Sequence, residues 1–359
     1  MRKIFFALVL IAIGAKAQTL TDTSLESFAR QTLVDGIKAY GDDVNEAGVV
    51  VMEVNSGNVV CNVNIGQFQG EIKDIPYGNE ESVPSGIGRA VLYLSMMGTL
   101  SPDFVVDTGD GLYIDSITGC SIVDSNQSRG GYGSLTLKRA FDMSDVGIYK
   151  AVETAFKRNI GKYGAAVRKT GVFFENIDDK SDAYEETDSW GFWSPCDIIG
   201  YRSPFSLLQQ TAWVNLVANR GKLLMRFNEN DFTTPICEVK NKAGLDSLAS
   251  AMFETVEHGT GSKMKSKYIR VAGIVNVSPP DAIYCRGCFA AAFFPYDNPR
   301  YTIGVFVNKH DLPAGRMIPS SIAGRIIEYM AEEYLHFQNK EYIKPTRMYR
   351  DREYHPAEK

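Results

Sequence analysis

The residue types and spacing that could do covalent chemistry lie first in Pro84-Ser85-Gly86-Ile87-Gly88-Arg89. This stretch separates a β-rich opening segment from the apolar run Ala90 to Met97, which reads as a helix, so it falls where a strand-to-helix turn can mount a nucleophile. A serine hydroxyl is a weak nucleophile until a neighbouring base takes its proton. The basic residue here is Arg89, and a guanidinium stays protonated. A second hydroxyl, Ser144, lies in Met143-Ser144-Asp145-Val146-Gly147, an irregular joint within the helical stretch Leu135 to Phe156.

Metal and redox chemistry find less support. The histidines His258, His310, His336 and His355 are scattered without ligand spacing, and Asp107-Thr108-Gly109-Asp110-Gly111 lacks the carboxylate spacing of a calcium loop. Cys285 and Cys288 form a C-x-x-C, but no second pair or nearby histidine completes a zinc site, and the segment reads as the start of a strand. No metal and no cofactor are expected. Cys61, Cys120, Cys196, Cys237, Cys285 and Cys288 are read as buried or incidental thiols, with any pairing left open.

Several elements must position these hydroxyls. Thr23 to Tyr40 carries Leu25, Phe28, Ala29, Leu33, Ile37 and Ala39 at helical spacing, with Asp22 or Thr23 as cap. Val49 to Val54, the turn Asn55-Ser56-Gly57 and Asn58 to Val63 predict a β-hairpin whose first strand carries the apolar run Val49 to Met52, as expected for a strand buried on both faces. Ser206 to Asn219 is a strongly apolar helix stopped by Asn219-Arg220-Gly221, and Gly244 to Glu257 is another. Tyr268 to Val277, Gly287 to Phe294 and Tyr301 to Asn308 read as strands, Ser320 to Phe337 as a closing helix. The acidic stretch from Phe173 to Asp197 reads as a solvated loop.

With 359 residues and 44% hydrophobic content, the chain can bury a large core. A net charge of −5 without a basic stripe excludes a general nucleic-acid binder. Arg2 and Lys3, the apolar run Ile4 to Ile13 and Ala15-Lys16-Ala17 make residues 1–17 a secretory signal peptide. The run is about half the ~20 residues a spanning helix needs, so a membrane is involved only if the signal stays uncleaved. The protein is expected in the periplasm or cell envelope.

Taken in order, these segments resemble the transpeptidase domain of class B penicillin-binding proteins, relatives of the serine β-lactamases. The resemblance rests on Ala47 to Glu53 with Ser56-Gly57, on Asp107 to Gly111, on Leu135 to Ala140, and on Ser203 to Gln209 with Ala218 to Lys222. It is carried furthest by Met252 to Gly261, ending His258-Gly259-Thr260-Gly261, by Val271-Ala272-Gly273 and by Phe294 to Tyr301. It implies an α/β (α+β) fold: a mainly antiparallel sheet flanked by N- and C-terminal helices, with a helical subdomain. The expected domain is 18–338 with the helical insertion at roughly 84–265, followed by a polar tail, 339–359.

That family's chemistry uses S-x-x-K, S-x-N and K-T-G. The resemblance places the first motif on Pro84 to Arg89, with Gly86 where the serine belongs and Arg89 where the lysine belongs. In a shifted frame Ser85 is the nucleophile and Gly88 takes the lysine position. The second motif falls on Met143, Ser144 and Asp145, and the third on Ile274, Val275 and Asn276, without cation or hydroxyl. The expected function is a noncatalytic transpeptidase-like protein whose old cleft, lined by Ile274 and Val275, binds peptidoglycan stem peptide or a wall-synthesis protein. The alternatives are a D,D-transpeptidase or carboxypeptidase working through Ser85 or Ser144, and an unrelated envelope binding protein on the same fold.

Cleavage after Ala17 leaves Gln18 as the first residue of the exported chain. Intact-mass measurement of protein recovered from the cell envelope checks this, and a mass retaining residues 1–17 would show an uncleaved anchor.

Overall fold

The computed structural model describes residues 20–39, 44–68, 70–75, 83–84, 86–172, 190, 194–200, 204–228, 230–231, 234–277, 286–309 and 317–336. Ser85, Cys285, His310, His355 and the signal peptide lie outside these residues, as does most of the acidic loop.

The chain opens with helix α1 (Thr23–Ala39) and the strands β1 (Val44–Glu53), β2 (Val59–Phe68) and β3 (Glu71–Asp74). Then β4 (Val83–Pro84) leads into helix α2 (Gly88–Met96), and the short strands β5 (Val105–Asp107), β6 (Leu112–Ile114), β7 (Ser121–Val123) and β8 (Ser134–Thr136) follow. The helices α3 (Leu137–Met143), α4 (Asp145–Phe156), α5 (Ile160–Arg168) and α6 (Pro195–Ile198) precede β9 (Pro204–Phe205) and helix α7 (Leu207–Ala218). After β10 (Lys222–Leu223), β11 (Cys237–Glu238) and helix α8 (Lys242–His258) come β12 (Ala272–Val277), β13 (Arg286–Phe294), β14 (Tyr301–Lys309) and helix α9 (Met317–Glu333).

The main sheet has six strands in the order β12-β13-β14-β1-β2-β3, with every neighbouring pair antiparallel. Successive side chains of a strand point to opposite faces, and both faces here are covered. On one, Ala47, Val49 and Val51 of β1 and Ile303, Val305 and Val307 of β14 pack with Leu33 of α1 and Ile326 of α9. On the other, Val50, Met52, Phe289, Phe293 and Phe306 join the helices α2, α3, α4, α7 and α8. This explains the unbroken apolar run of β1. It also gives the α+β architecture expected, with first and last helices meeting where Phe28 stacks on Tyr329 at 3.9 Å.

Helix α7 lies close against the sheet because β1 and β14 present glycines to it. A Cβ at Gly304 would stand 2.0 Å from Thr211 Oγ1, and one at Gly48 would stand 2.9 Å from Leu207 Cδ2. A capping box starts this helix: Ser206 Oγ accepts from the Gln209 amide at 3.1 Å, and Gln209 Oε1 accepts from the Ser206 amide at 2.6 Å.

Several boundaries differ from expectation; the first hairpin is longer, its strands starting at Val44 and running on to Phe68. The strand expected from Tyr268 begins only at Ala272, because Ile269 and Val271 are buried in the core from outside the sheet. The closing helix runs from Met317 to Glu333 rather than to Phe337: the Tyr334 and Leu335 amides both return to the Met330 carbonyl, and His336 takes a left-handed φ of 54°. No described helix is long and apolar enough to cross a membrane.

Asp22 caps α1 by accepting from the amides of Ser24 at 2.8 Å and Leu25 at 3.0 Å. Burial pushes its carboxyl up, but these amides and the Tyr334 hydroxyl outweigh that and hold it below the usual carboxylate range. Asp22→Ala should therefore cost about 0.5–2 kcal/mol in urea unfolding at neutral pH. A carboxylate with a depressed folded pKa stabilises above its unfolded value, near ~4, and the gap between variant and wild type should close as pH falls below it.

Candidate functional site

The three stretches singled out in the sequence converge at the sheet's β12 edge. Gly86 is buried at the bend between β4 and α2, and its amide donates to Gln210 Oε1 of α7 at 2.6 Å. Gln210 Nε2 in turn donates to the Phe205 carbonyl at 3.2 Å, fixing the bend against β9. The Phe289 ring of β13 packs directly on Gly86: a Cβ at this position would lie 2.1 Å from Phe289 Cδ1. A serine side chain has no space there unless the ring moves.

Arg89 stands near the start of α2, a helix otherwise composed of small, apolar and aromatic residues with one serine, and is only 6% exposed. A buried cation needs partners for its charge and its donors. Arg89 Nη1 donates to the Asp142 carbonyl at 2.9 Å, Nη2 donates to the Val275 carbonyl at 2.8 Å, and Nε lies 3.5 Å from Asp145 Oδ1. One guanidinium thus ties α2 to the joint between α3 and α4 and to β12. It joins all three motif positions.

Ser144 is fully buried and forms that joint. Its Oγ accepts from the Gly147 amide at 2.8 Å, capping α4, and donates to Asp124 Oδ2 at 2.6 Å. Asp124 Oδ1 accepts from the Val146 amide at 3.1 Å. Burial pushes the Asp124 carboxyl up despite these bonds. The Ser144 hydroxyl serves as a helix cap, with Met143 half-buried beside it.

Asp142 ties the joint to the turn after α8. Its Oδ1 accepts from the Thr260 amide at 3.0 Å and from Thr260 Oγ1 at 2.8 Å. A Cβ at Gly259 would meet Asp142 Oδ2 at 2.2 Å, which accounts for the glycine in His258-Gly259-Thr260-Gly261.

Ile274, Val275 and Asn276 are all buried on β12, with Ile274 and Val275 pointing into opposite cores. Ile274 and Val275, expected from the sequence to line the cleft, both border a small space beside Gly86 and Arg89. The space left between Gly86, Arg89, Asp142, Thr255, Ile274 and Val275 is about 10 Å³, room for one water at most.

Phe289, Gln210, Asp142 and Asp124 complete this arrangement and were not singled out from sequence. Gln210 is the one with a signal, a polar residue at the centre of an apolar helix that must find a buried partner.

No protein-family model matches the chain, and no curated protein does. Solved structures match over most of it. A peptidoglycan glycosyltransferase from Burkholderia ambifaria is similar with a TM-score of 0.66 at 16% identity, covering 88% of this chain and 98% of the other. The apo TP domain of Burkholderia pseudomallei penicillin-binding protein 3 is similar with the same TM-score and identity, covering 88% of this chain and 96% of the other. The fold is that of a penicillin-binding protein transpeptidase domain.

Gly86→Ser restores the hydroxyl in the first motif but collides with Phe289. It should cost about 1–3 kcal/mol by overpacking. In a Phe289→Ala background that added cost should vanish, so a double-mutant cycle read by urea unfolding isolates the clash.

Proposed function

We propose that this protein is a noncatalytic envelope protein with a transpeptidase fold, and that it binds a wall-synthesis protein through its surface. The observation that carries the reading is the occupied site: Phe289 covers Gly86 and Arg89 bridges the three motif segments. Acyl transfer needs a nucleophile, a base that can take its proton and space for the acyl group. Gly86 supplies no hydroxyl, Arg89 supplies no base, and Ser144 is engaged as a cap by Asp124 and Gly147. The cavity of about 10 Å³ favours a protein partner over a stem peptide held in the old cleft.

The edge strand adds to this. An extended peptide joins a sheet by main-chain hydrogen bonds along an exposed edge. At β12 the Val275 carbonyl is taken by Arg89, and the opposite edge, β3, is short and charged, with Glu71, Lys73 and Asp74. Binding then falls to other surfaces. Ile114 and Val123 share an exposed face of the β6–β7 hairpin, at 62% and 50% exposure. Exposed apolar residues grouped in this way suit a protein contact.

The competing reading, an active serine enzyme, now depends on Ser85 or on freeing Ser144. Incubation of the purified protein with a fluorescent penicillin, followed by peptide mapping, separates the two. The expected result is no covalent label. A label on Ser85 or Ser144 would overturn the proposal.

A further inference from the structure

Two thiols far apart in the chain meet on the helical lobe. Cys120 leads into β7 and Cys196 lies within α6, and their sulfurs are 3.0 Å apart. Both backbones are held in place. The Cys120 carbonyl accepts from the Asp115 amide at 2.9 Å and its amide donates to Thr118 Oγ1 at 3.3 Å. On the other side, Ser194 and Asp197 form a capping box around α6, with Pro195 in its first turn.

We infer that Cys120 and Cys196 are a modification site, a dithiol that closes to an intramolecular disulfide and staples the β6–β7 hairpin to α6. The co-reactant is an external disulfide, R–S–S–R. Cys120 is the more accessible of the two, so its thiolate attacks one external sulfur, forms a mixed disulfide and expels RS⁻. The Cys196 thiolate then attacks the Cys120 sulfur, forming the Cys120–Cys196 bond and releasing the second RS⁻. Two electrons pass from the protein pair to the external disulfide, and the two thiol protons end on the released thiols.

The other described cysteines are placed differently. Cys61 and Cys288 are enclosed in strands of the main sheet, and burial pushes the Cys61 thiol up. Cys237 is half-buried beside Gly171, and burial pushes its thiol up to about 11. Thiols so raised are slow to form the reactive thiolate. The staple would also have a local consequence. Asp124 follows β7 directly and holds Ser144 and the Val146 amide, so tethering β7 tethers the cap of α4.

This inference is independent of whether the protein turns over a substrate. It is tested on the full exported chain, reduced and then equilibrated with oxidised glutathione. Tryptic digestion without reduction should yield the peptides 90–129 and 181–202 joined, two hydrogens lighter than their sum. The oxidised protein should unfold at a higher urea concentration than the reduced protein. Cys120→Ser, which changes a half-buried position, should fold like the reduced wild type and lose the oxidised-versus-reduced difference. Peptides 90–129 and 181–202 recovered separately with both thiols still alkylatable, or Cys120 joined to a different cysteine, would overturn the inference. An unchanged urea midpoint on forming the bridge would refute its role as a staple.

Discussion

The buried guanidinium of Arg89 is the constraint on which the site depends. An arginine enclosed by an apolar helix and its neighbours must find a counter-charge and acceptors for its donors, because an unpaired buried cation costs several kcal/mol. Here the acceptors are main-chain carbonyls of Asp142 and Val275, and the counter-charge is Asp145. Main-chain acceptors come with their elements, so satisfying one side chain draws the end of α3, the start of α4 and the edge strand β12 together. The contact that solvates the cation is also the contact that joins the three segments.

The rest of the site is arranged around that contact. Phe289 can lie on Gly86 because there is no side chain to resist it, and Gln210 can hold the Gly86 amide because α7 sits close to a sheet that offers glycines at positions 48 and 304. Asp124 and Ser144 meet their own hydrogen-bonding needs in capping α4. Gly86, Arg89, Asp124 and Ser144 are thus absorbed into packing and capping, and it is on this site rather than on the fold that the proposed noncatalytic reading rests.

Much of the scaffold was legible in the sequence for physical reasons that are local. The apolar run Val49 to Met52 could only be a strand covered on both faces, and the structure covers both. The apolar run from Ser206 with its Asn219-Arg220-Gly221 stop marked a helix, and Met143 to Gly147 marked a break between two helices. What was not legible depends on residues distant in sequence. Nothing near Phe289 indicates that its ring covers Gly86, and nothing near Asp124 indicates that it receives the Ser144 hydroxyl. Ile274 and Val275 do line the small space beside Gly86 and Arg89; what the sequence did not show is that β12 is covered on both faces, so that these adjacent residues enter opposite cores. Arg89 itself carried a signal: a lone cation in an apolar helix has to be solvated by the protein. Which carbonyls do so could come only from the fold.

Arg89 holds three segments together, and unfolding of Arg89→Met in urea tests that most directly. Removing the cation leaves Asp145 as a buried charge without it and two buried carbonyls without their donor, so the predicted loss is about 3–5 kcal/mol. A loss below about 0.5 kcal/mol, the range of ordinary surface substitutions, would contradict it.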